Sequence, residues 1–236
     1  MTWLWWTLGS IAVFIVGEII FQHWKRNIWF FRDPKINSPE DDGSTIIAPC
    51  CGRVMYVKEI TDGKVICEKL DTKIEVTEIS KSKDAPKTGI LIGIYMSPFD
   101  VHFNYAPIGG KITSITHTQA KLNLPMVDLW EYIQFVWLRR AVNLLGRKFH
   151  LQNERNTVVI ESSKCKLAMV EIADKVVNKI DCFVKNEETI SLGQKISFIK
   201  RGSQVDLMLY GTNYKINTKV GDHVTGGVTI VAKVSN

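Results

Sequence analysis

A glycine and a serine, Gly202 and Ser203, stand side by side between two strand-like runs near the C-terminus. The serine hydroxyl lies next to an unhindered peptide carbonyl, so in a strained turn it can attack that carbonyl and convert the amide into an ester. Elimination across the serine would then leave a pyruvoyl group on a new N-terminus. The alternative is an ordinary turn between two strands, which is the commoner role of a Gly-Ser pair taken alone.

A second set of reactive side chains lies in residues 95–107, where Asp100 and His102 are two positions apart. In extended backbone such a pair points to the same side of the chain. The carboxylate can then tune the imidazole for proton transfer. A structural histidine is the alternative, and it is the commoner one for an arbitrary Asp-x-His sequence.

The composition limits the class of protein, its partners and the kinds of site that are expected. The chain has 236 residues, of which 45% are hydrophobic, and this is enough for a sizeable core. A net charge of +6 favours an acidic partner, either nucleic acid or an anionic membrane surface. Five cysteines without a Cys-x-x-Cys pair indicate neither a disulfide framework nor a zinc site, so no metal is expected and a reducing compartment fits best.

The first apolar segment predicts a membrane anchor and so favours the membrane over nucleic acid. Residues 3–21 contain one charge, Glu18, and tryptophans flank the run at both ends. About 20 mostly apolar residues can span a bilayer, and tryptophan suits its interfaces. Because Lys25 and Arg26 follow the run and no basic residue precedes it, the rest of the chain is predicted on the cytoplasmic side of the cell membrane. The alternatives are a buried core helix and a helix lying in the interface.

We divide the chain into an anchor helix (1–26), a linker (27–44) and one mainly β (α+β) domain (45–236) with an antiparallel sheet. Short runs rich in valine and isoleucine, with a hairpin signal at residues 62–63, predict the strands. These strands are residues 46–47, 53–60, 64–68, 73–79, 90–96, 110–117, 157–161, 166–172, 176–182, 195–199, 205–210 and 228–234. Residues 80–88 are predicted to form an exposed loop.

One inserted amphipathic helix is predicted over residues 128–147. Its apolar side carries Trp130 and Trp137 together with Ile133 and Leu144. Two environments remain open for this helix. It either packs on the β domain, or it uses its tryptophans and basic residues at an anionic membrane surface.

Together, five segments resemble the phosphatidylserine decarboxylase proenzyme family, most closely its short bacterial members. They are residues 30–34, 96–104, 153–155, 202–206 and 220–230, and they occur in the family's order. The resemblance implies a membrane-associated enzyme that cuts itself between Gly202 and Ser203. Ser203 would become a pyruvoyl cofactor, whose carbonyl condenses with the amine of phosphatidylserine and accepts the electrons released as carbon dioxide leaves. The product would be phosphatidylethanolamine.

The same resemblance gives His102 the proton-transfer role, with Asp100 in support. The implied partners are phosphatidylserine, anionic membrane lipids and the chain's own large and small fragments. No nucleic acid is expected, and a homo-oligomer is left open.

One position departs from the family pattern. Where the family has Ala-Asp-Gly after a proline, residues 49–52 are Pro-Cys-Cys-Gly, so Cys51 replaces the acidic residue linked to self-cleavage. A thiol exchanges a proton readily only when its pKa is lowered. A second hypothesis is therefore a non-cleaving relative that serves as a lipid-binding or scaffold protein of the membrane. A third is a barrel-sandwich domain suggested by residues 221–227, although the lysine of a biotin or lipoyl carrier is missing.

Overall fold

The computed structural model describes residues 2–67, 72–142, 144–175, 180–200 and 203–235. The chain forms two compact units, Met1–Pro34 and Lys35–Asn236. The first unit is one helix, α1 (Thr2–Trp24), which continues into a π-helical turn (Lys25–Trp29). Most of its side chains are apolar and exposed, with Glu18 as its one acidic residue, a composition typical of a helix in an apolar surrounding. Within the described residues, the segment Trp3–Trp29 is the one helix long and apolar enough to cross a bilayer, so it could serve as an anchor.

The second unit is rich in strands. Within the described residues its strands are β1 (Thr45–Ile47), β2 (Gly52–Ile60), β3 (Lys64–Cys67), β4 (Thr72–Glu75), β5 (Gly89–Met96), β6 (Phe103–Tyr105), β7 (Gly110–Thr118), β8 (Arg155–Glu161), β9 (Lys166–Ala173), β10 (Ile180–Cys182), β11 (Thr189–Ile190), β12 (Lys195–Ile199), β13 (Ser203–Tyr210), β14 (Tyr214–Ile216), β15 (His223–Val224) and β16 (Ile230–Val234). Its helices there are α2 (Val76–Ser80), α3 (Leu129–Val136) and α4 (Lys148–Gln152).

An eight-stranded antiparallel sheet forms the centre of this unit, in the order β11-β7-β8-β9-β13-β5-β2-β15. Two three-stranded sheets, β10-β12-β6 and β1-β16-β14, and the hairpin β3-β4 accompany it. Strand β13 lies between β9 and β5, and its side chains alternate between two hydrophobic cores. Val205 and Leu207 enter the first core, whereas Met208 enters the second, on the opposite face of the sheet.

The predicted fold class, mainly β with an antiparallel sheet and an N-terminal apolar helix, is confirmed. Strand β12 has the predicted bounds, and β2, β5 and β7 differ from the prediction by one residue at one end. Asp62 and Gly63 both have positive φ, 50° and 71°, as a two-residue hairpin turn requires. For the strand predicted over 176–182, only its last part, β10, falls within the described residues.

The predicted extent of the inserted helix is wrong, because within residues 128–147 the described chain forms only the short helix α3, and α4 begins after the predicted end. Asp128 caps α3 in a capping box with Glu131, and the chain leaves the helix after Val136. Trp130 and Trp137, predicted on the apolar side, are 61% and 76% exposed. Leu144, also predicted on the apolar side, is buried, together with Phe135, Val142 and Leu145, but Val142, Leu144 and Leu145 lie in the non-helical part. Packing of an irregular segment against the second core therefore overrides the helical period.

Two smaller predictions near residue 80 also need correction. The strand predicted over 73–79 ends at Glu75, and α2 begins at the next residue, Val76. The loop predicted as exposed over 80–88 has two buried serines, Ser80 and Ser82. The Ser80 carbonyl accepts a hydrogen bond from Thr157 Oγ1 at 2.5 Å, which ties this segment to β8.

Candidate active site

Ser203 is the first residue of β13, the central strand of the large sheet. Its side chain is fully buried on the face of the first core, and Oγ donates to Met96 Sδ at 3.2 Å. In the register of the sheet Ser203 lies opposite Met96 of β5 and Ala173 of β9. Gly202, and with it the predicted scissile bond, lies outside the described residues.

The histidine motif leaves the same end of the sheet, because β5 ends at Met96. A tight turn follows, in which the Asp100 N–H donates to the Ser97 carbonyl at 3.0 Å. His102 is fully buried, and its Nδ1 lies 2.9 Å from the Asp100 carbonyl oxygen. Since a carbonyl can only accept, Nδ1 carries the hydrogen, and in the neutral imidazole Nε2 is the basic nitrogen. The backbone of Asp100 thus orients the ring in a form able to take up a proton.

The Asp100 carboxylate has other partners. It accepts from the Ser97 N–H at 2.8 Å and lies 3.1 Å from His223 Nε2. Burial alone would raise the pKa of Asp100, but the hydrogen bonds from His223 and Ser97 outweigh it, so the pKa lies below its usual value. Asp100 is therefore ionised at neutral pH. His223 lies in the resembling segment 220–230, a signal that could have identified it from sequence.

Cys51 precedes β2, whose start lies at the same end of the sheet as Met96 and Ser203. Its Sγ is buried and accepts from the Gly226 N–H at 3.2 Å. The contact is tight, since a Cβ on Gly226 would lie 2.7 Å from the Cys50 carbonyl carbon. Burial and the neighbouring Cys51 raise the pKa of Cys50 well above its usual value. The Cys50 thiol is thus held protonated.

A buried carboxyl group that sequence reasoning missed faces the same core as Ser203. Glu171 of β9 lies opposite Val205, two residue pairs along from the pair of Ala173 with Ser203 and therefore on the same face of the sheet. Diagonal neighbours on one face of a sheet are about 7–8 Å apart. A glutamate at a core-facing position of a strand, where the pattern calls for an apolar residue, is the signal that could have revealed it.

Three polar side chains hold the Glu171 carboxylate. Asn104 Nδ2 donates to it at 2.6 Å, Asn156 Nδ2 donates at 2.8 Å, and Ser197 Oγ donates to the same oxygen as Asn104. Burial raises the pKa of Glu171 to about 7, although these hydrogen bonds favour the ionised form. Near neutral pH this carboxyl group can gain or lose a proton. Asn104 also links it to the histidine motif, two residues after His102.

A second polar network lies on the opposite face of β13. Tyr56 Oη donates to Asp206 at 2.6 Å, His150 Nε2 lies 2.6 Å from the other Asp206 oxygen, and Gln204 Nε2 donates to Asp206 at 2.7 Å. Burial, with the charge of Asp206, raises the pKa of Tyr56 well above its usual value, so the phenol stays protonated. Since all four side chains are buried, this network fixes the backbone of the residues that directly follow Ser203.

A cavity of about 400 Å³ opens at the end of the sheet where β5 leaves it. It is lined by Arg53, Ser97, Phe99, Asp100, Phe135, Val136, Arg139 and His223. The candidate residues therefore fall into three groups at one end of the sheet. Ser203 and Glu171 face the first core, the Tyr56 network faces the second, and Asp100 borders the cavity.

Comparison with known proteins identifies the family. The model of the phosphatidylserine decarboxylase family matches residues 25–232. A protein of Methanocaldococcus jannaschii, provisionally named an archaetidylserine decarboxylase proenzyme, is 33% identical over 205 residues, which cover 87% of this chain and 88% of the relative. The phosphatidylserine decarboxylase proenzyme of Magnetococcus marinus is 29% identical and that of Carboxydothermus hydrogenoformans 26%, over 88% and 96% of this chain and 77% and 88% of the relatives. The chain therefore belongs to the phosphatidylserine decarboxylase family.

Proposed function

We propose that this protein is a membrane-associated, self-processing decarboxylase that converts phosphatidylserine into phosphatidylethanolamine and carbon dioxide. The observation that carries the proposal is the position of Ser203, which is buried at the start of the central strand with a titratable carboxyl group, Glu171, on the same face. Membership of the family and the proenzyme names of the relatives support it.

The self-processing step needs only groups of the chain and water. Ser203 Oγ attacks the carbonyl carbon of Gly202, the C–N bond breaks, and the freed amine takes up the hydroxyl proton. Removal of the Ser203 Cα proton then expels the Gly202 carboxylate, and water replaces the remaining nitrogen, which leaves as ammonia. The products would be residues 1–202 and a small chain of 34 residues (236 minus 202).

The residues at this site suit a pyruvoyl group. Position 203 is shielded from solvent, and the same face of the sheet carries Glu171, which accepts from the amide of Asn104. A pyruvoyl carbonyl supplies an electron sink for the bond that breaks as carbon dioxide leaves. We assign His102 the transfer of the proton that replaces the carboxylate, because its Nδ1–H is committed to the Asp100 carbonyl and Nε2 is the basic atom.

Two apolar features suit a lipid substrate. The helix α1 would anchor the chain in the cell membrane, with the basic residues after it on the cytoplasmic side. On the second unit, α3 and the residues after it expose large apolar side chains to solvent, among them Leu129, Trp130, Trp137 and Leu138. An exposed cluster of this kind marks an interaction site, and tryptophan favours the membrane interface.

The test is the intact mass of the purified protein in detergent. The proposal expects two chains, the smaller beginning at residue 203 and blocked to Edman degradation, together with release of carbon dioxide from phosphatidylserine. Ser203→Ala should remain one chain and be inactive, whereas Ser163→Ala, an exposed serine on a turn, should behave as the wild type. A wild-type protein that stays as a single chain of 26.8 kDa would refute the proposal.

One observation favours a second candidate function, a non-cleaving relative that binds lipid. Cys51 replaces the acidic residue of the family motif, and its sulfur lies on the Gly226 N–H. An uncut wild-type chain that still bound vesicles containing phosphatidylserine would support this second candidate.

A further inference from the structure

The cavity at the end of the large sheet has a chemistry of its own. Its floor is the turn that contains Ser97 and Asp100, and its apolar wall is formed by Phe99, Phe135 and Val136. The sheet register locates it at the same end of the sheet as position 203, on the face of the second core: Arg53 lies opposite Tyr95, and Tyr95 lies opposite Gln204, the residue after Ser203. Neighbouring strands are about 4.8 Å apart, so the backbones of residues 53 and 204 are separated by about 10 Å.

Positive charge predominates in this cavity. The one carboxylate in its lining, Asp100, already accepts from the Ser97 N–H and lies against His223. Two guanidinium groups, those of Arg53 and Arg139, also line the cavity. A guanidinium group presents N–H donors in a planar fork that matches the oxygens of a phosphate or carboxylate. The cavity therefore suits an anionic ligand.

Arg53 retains hydrogen-bonding capacity for such a ligand. Its Nη1 donates to the Gly221 carbonyl at 2.5 Å, and its guanidinium carbon lies 5.9 Å from the centre of the Phe135 ring. Its Nε is buried and has no hydrogen-bond partner within the described residues. Buried donors are nearly always satisfied, so this one calls for a bound group or water. The contacts with the Gly221 carbonyl and the Phe135 ring hold the guanidinium group of Arg53 in place.

Arg139 lies on the rim of the cavity in an unusual backbone conformation. Its φ is +53°, in the left-handed region that a residue with a Cβ seldom adopts. Such strain is retained where the surrounding structure enforces it, and it concentrates at functional sites. The two preceding residues, Trp137 and Leu138, are exposed, so the cationic group stands beside an apolar surface. This combination matches the headgroup region of a bilayer.

We propose that this cavity binds the phosphodiester of the lipid headgroup between Arg53 and Arg139. The proposal rests on the proposed decarboxylase function. The substrate carries two anionic groups, but its carboxylate leaves as neutral carbon dioxide, so tight pairing with that group would stabilise the reactant and slow the reaction. The phosphodiester is unchanged by the reaction. Binding it holds the substrate without opposing the chemical step.

The test measures decarboxylation of dihexanoyl phosphatidylserine, a water-soluble substrate that removes membrane docking from the assay. Arg53→Gln and Arg139→Gln should each raise KM about tenfold, the loss expected for a hydrogen bond to a charged group, with kcat within about twofold of the wild type. Lys215→Gln, which removes an exposed cation on β14, should change neither constant. Self-cleavage should be complete in every variant, because it involves no lipid.

Three outcomes would overturn the proposal. The first is an unchanged KM in both arginine variants, and the second is a fall in kcat at unchanged KM. The third concerns inorganic phosphate: if it inhibits the wild type, and either arginine variant loses this inhibition without a change in its KM for lipid, the cavity binds free phosphate and not the substrate. If Arg53→Gln does not fold, Arg53→Lys replaces it, and an unchanged KM in Arg53→Lys and Arg139→Gln overturns the proposal equally. Failure of the proposed function itself would be recognised separately, as a wild-type chain that is neither cut nor active.

Discussion

Glu171→Gln is the substitution for which the structure gives the most definite energetic expectation. The carboxyl group has a pKa of about 7 in the folded protein against 4.5 for the ordinary side chain. Between pH 4.5 and pH 7, Glu171 therefore binds more protons in the folded state than in the unfolded state. Folding consequently becomes less favourable as the pH rises from 4.5 through 7. Each pKa unit is worth about 1.4 kcal/mol, so ionisation of Glu171 costs about 3 kcal/mol of stability above pH 7.

Glutamine at position 171 removes this titration and keeps the shape of the side chain. Asn156 now presents its Nδ2 to residue 171, and a half-turn of its amide brings its buried Oδ1, which has no partner within the described residues, into position to accept from the glutamine N–H. We expect Glu171→Gln to match its parent near pH 4.5 and to exceed it by about 3 kcal/mol at pH 8. For a chain of this size that is about 6–12 °C in Tm.

The assay is thermal and denaturant unfolding of the full chain at pH 4.5 to 8. Both proteins carry Ser203→Ala, so that neither is cut. Other buried groups titrate alike in both, so they cancel in the difference between the two curves. Glu161→Gln, at an exposed position of β8, is the matched control and should show no pH-dependent difference. Parallel curves for Glu171→Gln and its parent would refute the reasoning, since they would mean that Glu171 titrates alike in the folded and unfolded chain.

Three further substitutions test the site. Tyr56→Phe deletes a hydroxyl that bonds Asp206 at 2.6 Å and should cost about 1–3 kcal/mol in denaturant unfolding; a loss below about 0.5 kcal/mol would mean that water replaces it. His102→Gln should lower kcat for carbon dioxide release by about 10²–10⁴. The exposed His117→Gln is its control, and equal effects would remove the role assigned to His102. Cys51→Asp should speed self-cleavage at least about tenfold in a time course of chain masses, because a carboxylate accepts a proton at neutral pH and a buried thiol does not; an unchanged rate would show that position 51 takes no part.

Most of the longer strands of this protein could be predicted from sequence because each depends on a local pattern, whereas the prediction misses the short strands β6, β11, β14 and β15. The apolar runs of β5 and β12 indicate buried strands directly, since nearly every residue of both is buried, and the turn at Asp62 and Gly63 depends on two adjacent residues. The helix predicted over 128–147 is wrong because the structure there depends on tertiary packing and not on a local pattern. Its periodicity is real, but Val142, Leu144 and Leu145 enter the second core outside any helix, and that preference arises from the shape of the surface they cover.

In the candidate site, too, the features with a local sequence pattern could be predicted and those that arise from tertiary structure could not. Ser203, His102, Asp100 and Cys51 lie in short motifs, so sequence could identify them as candidates. The partners of these motifs could not be found in that way. Tyr56 and Asp206 are 150 positions apart and meet only because β2 and β13 both pair with β5.

The position of β13 affects how a processed protein would unfold. A cut before Ser203 would leave a fragment with strands in two sheets, since β13 lies between β9 and β5 and β16 pairs with β1. The fragment could then leave only if both sheets came apart. Unfolding would release two separate molecules, so re-formation would depend on their concentration and would slow on dilution. The lifetime of the mature protein would thus be governed by its unfolding rate. Folding as a single molecule would be possible only before the cut.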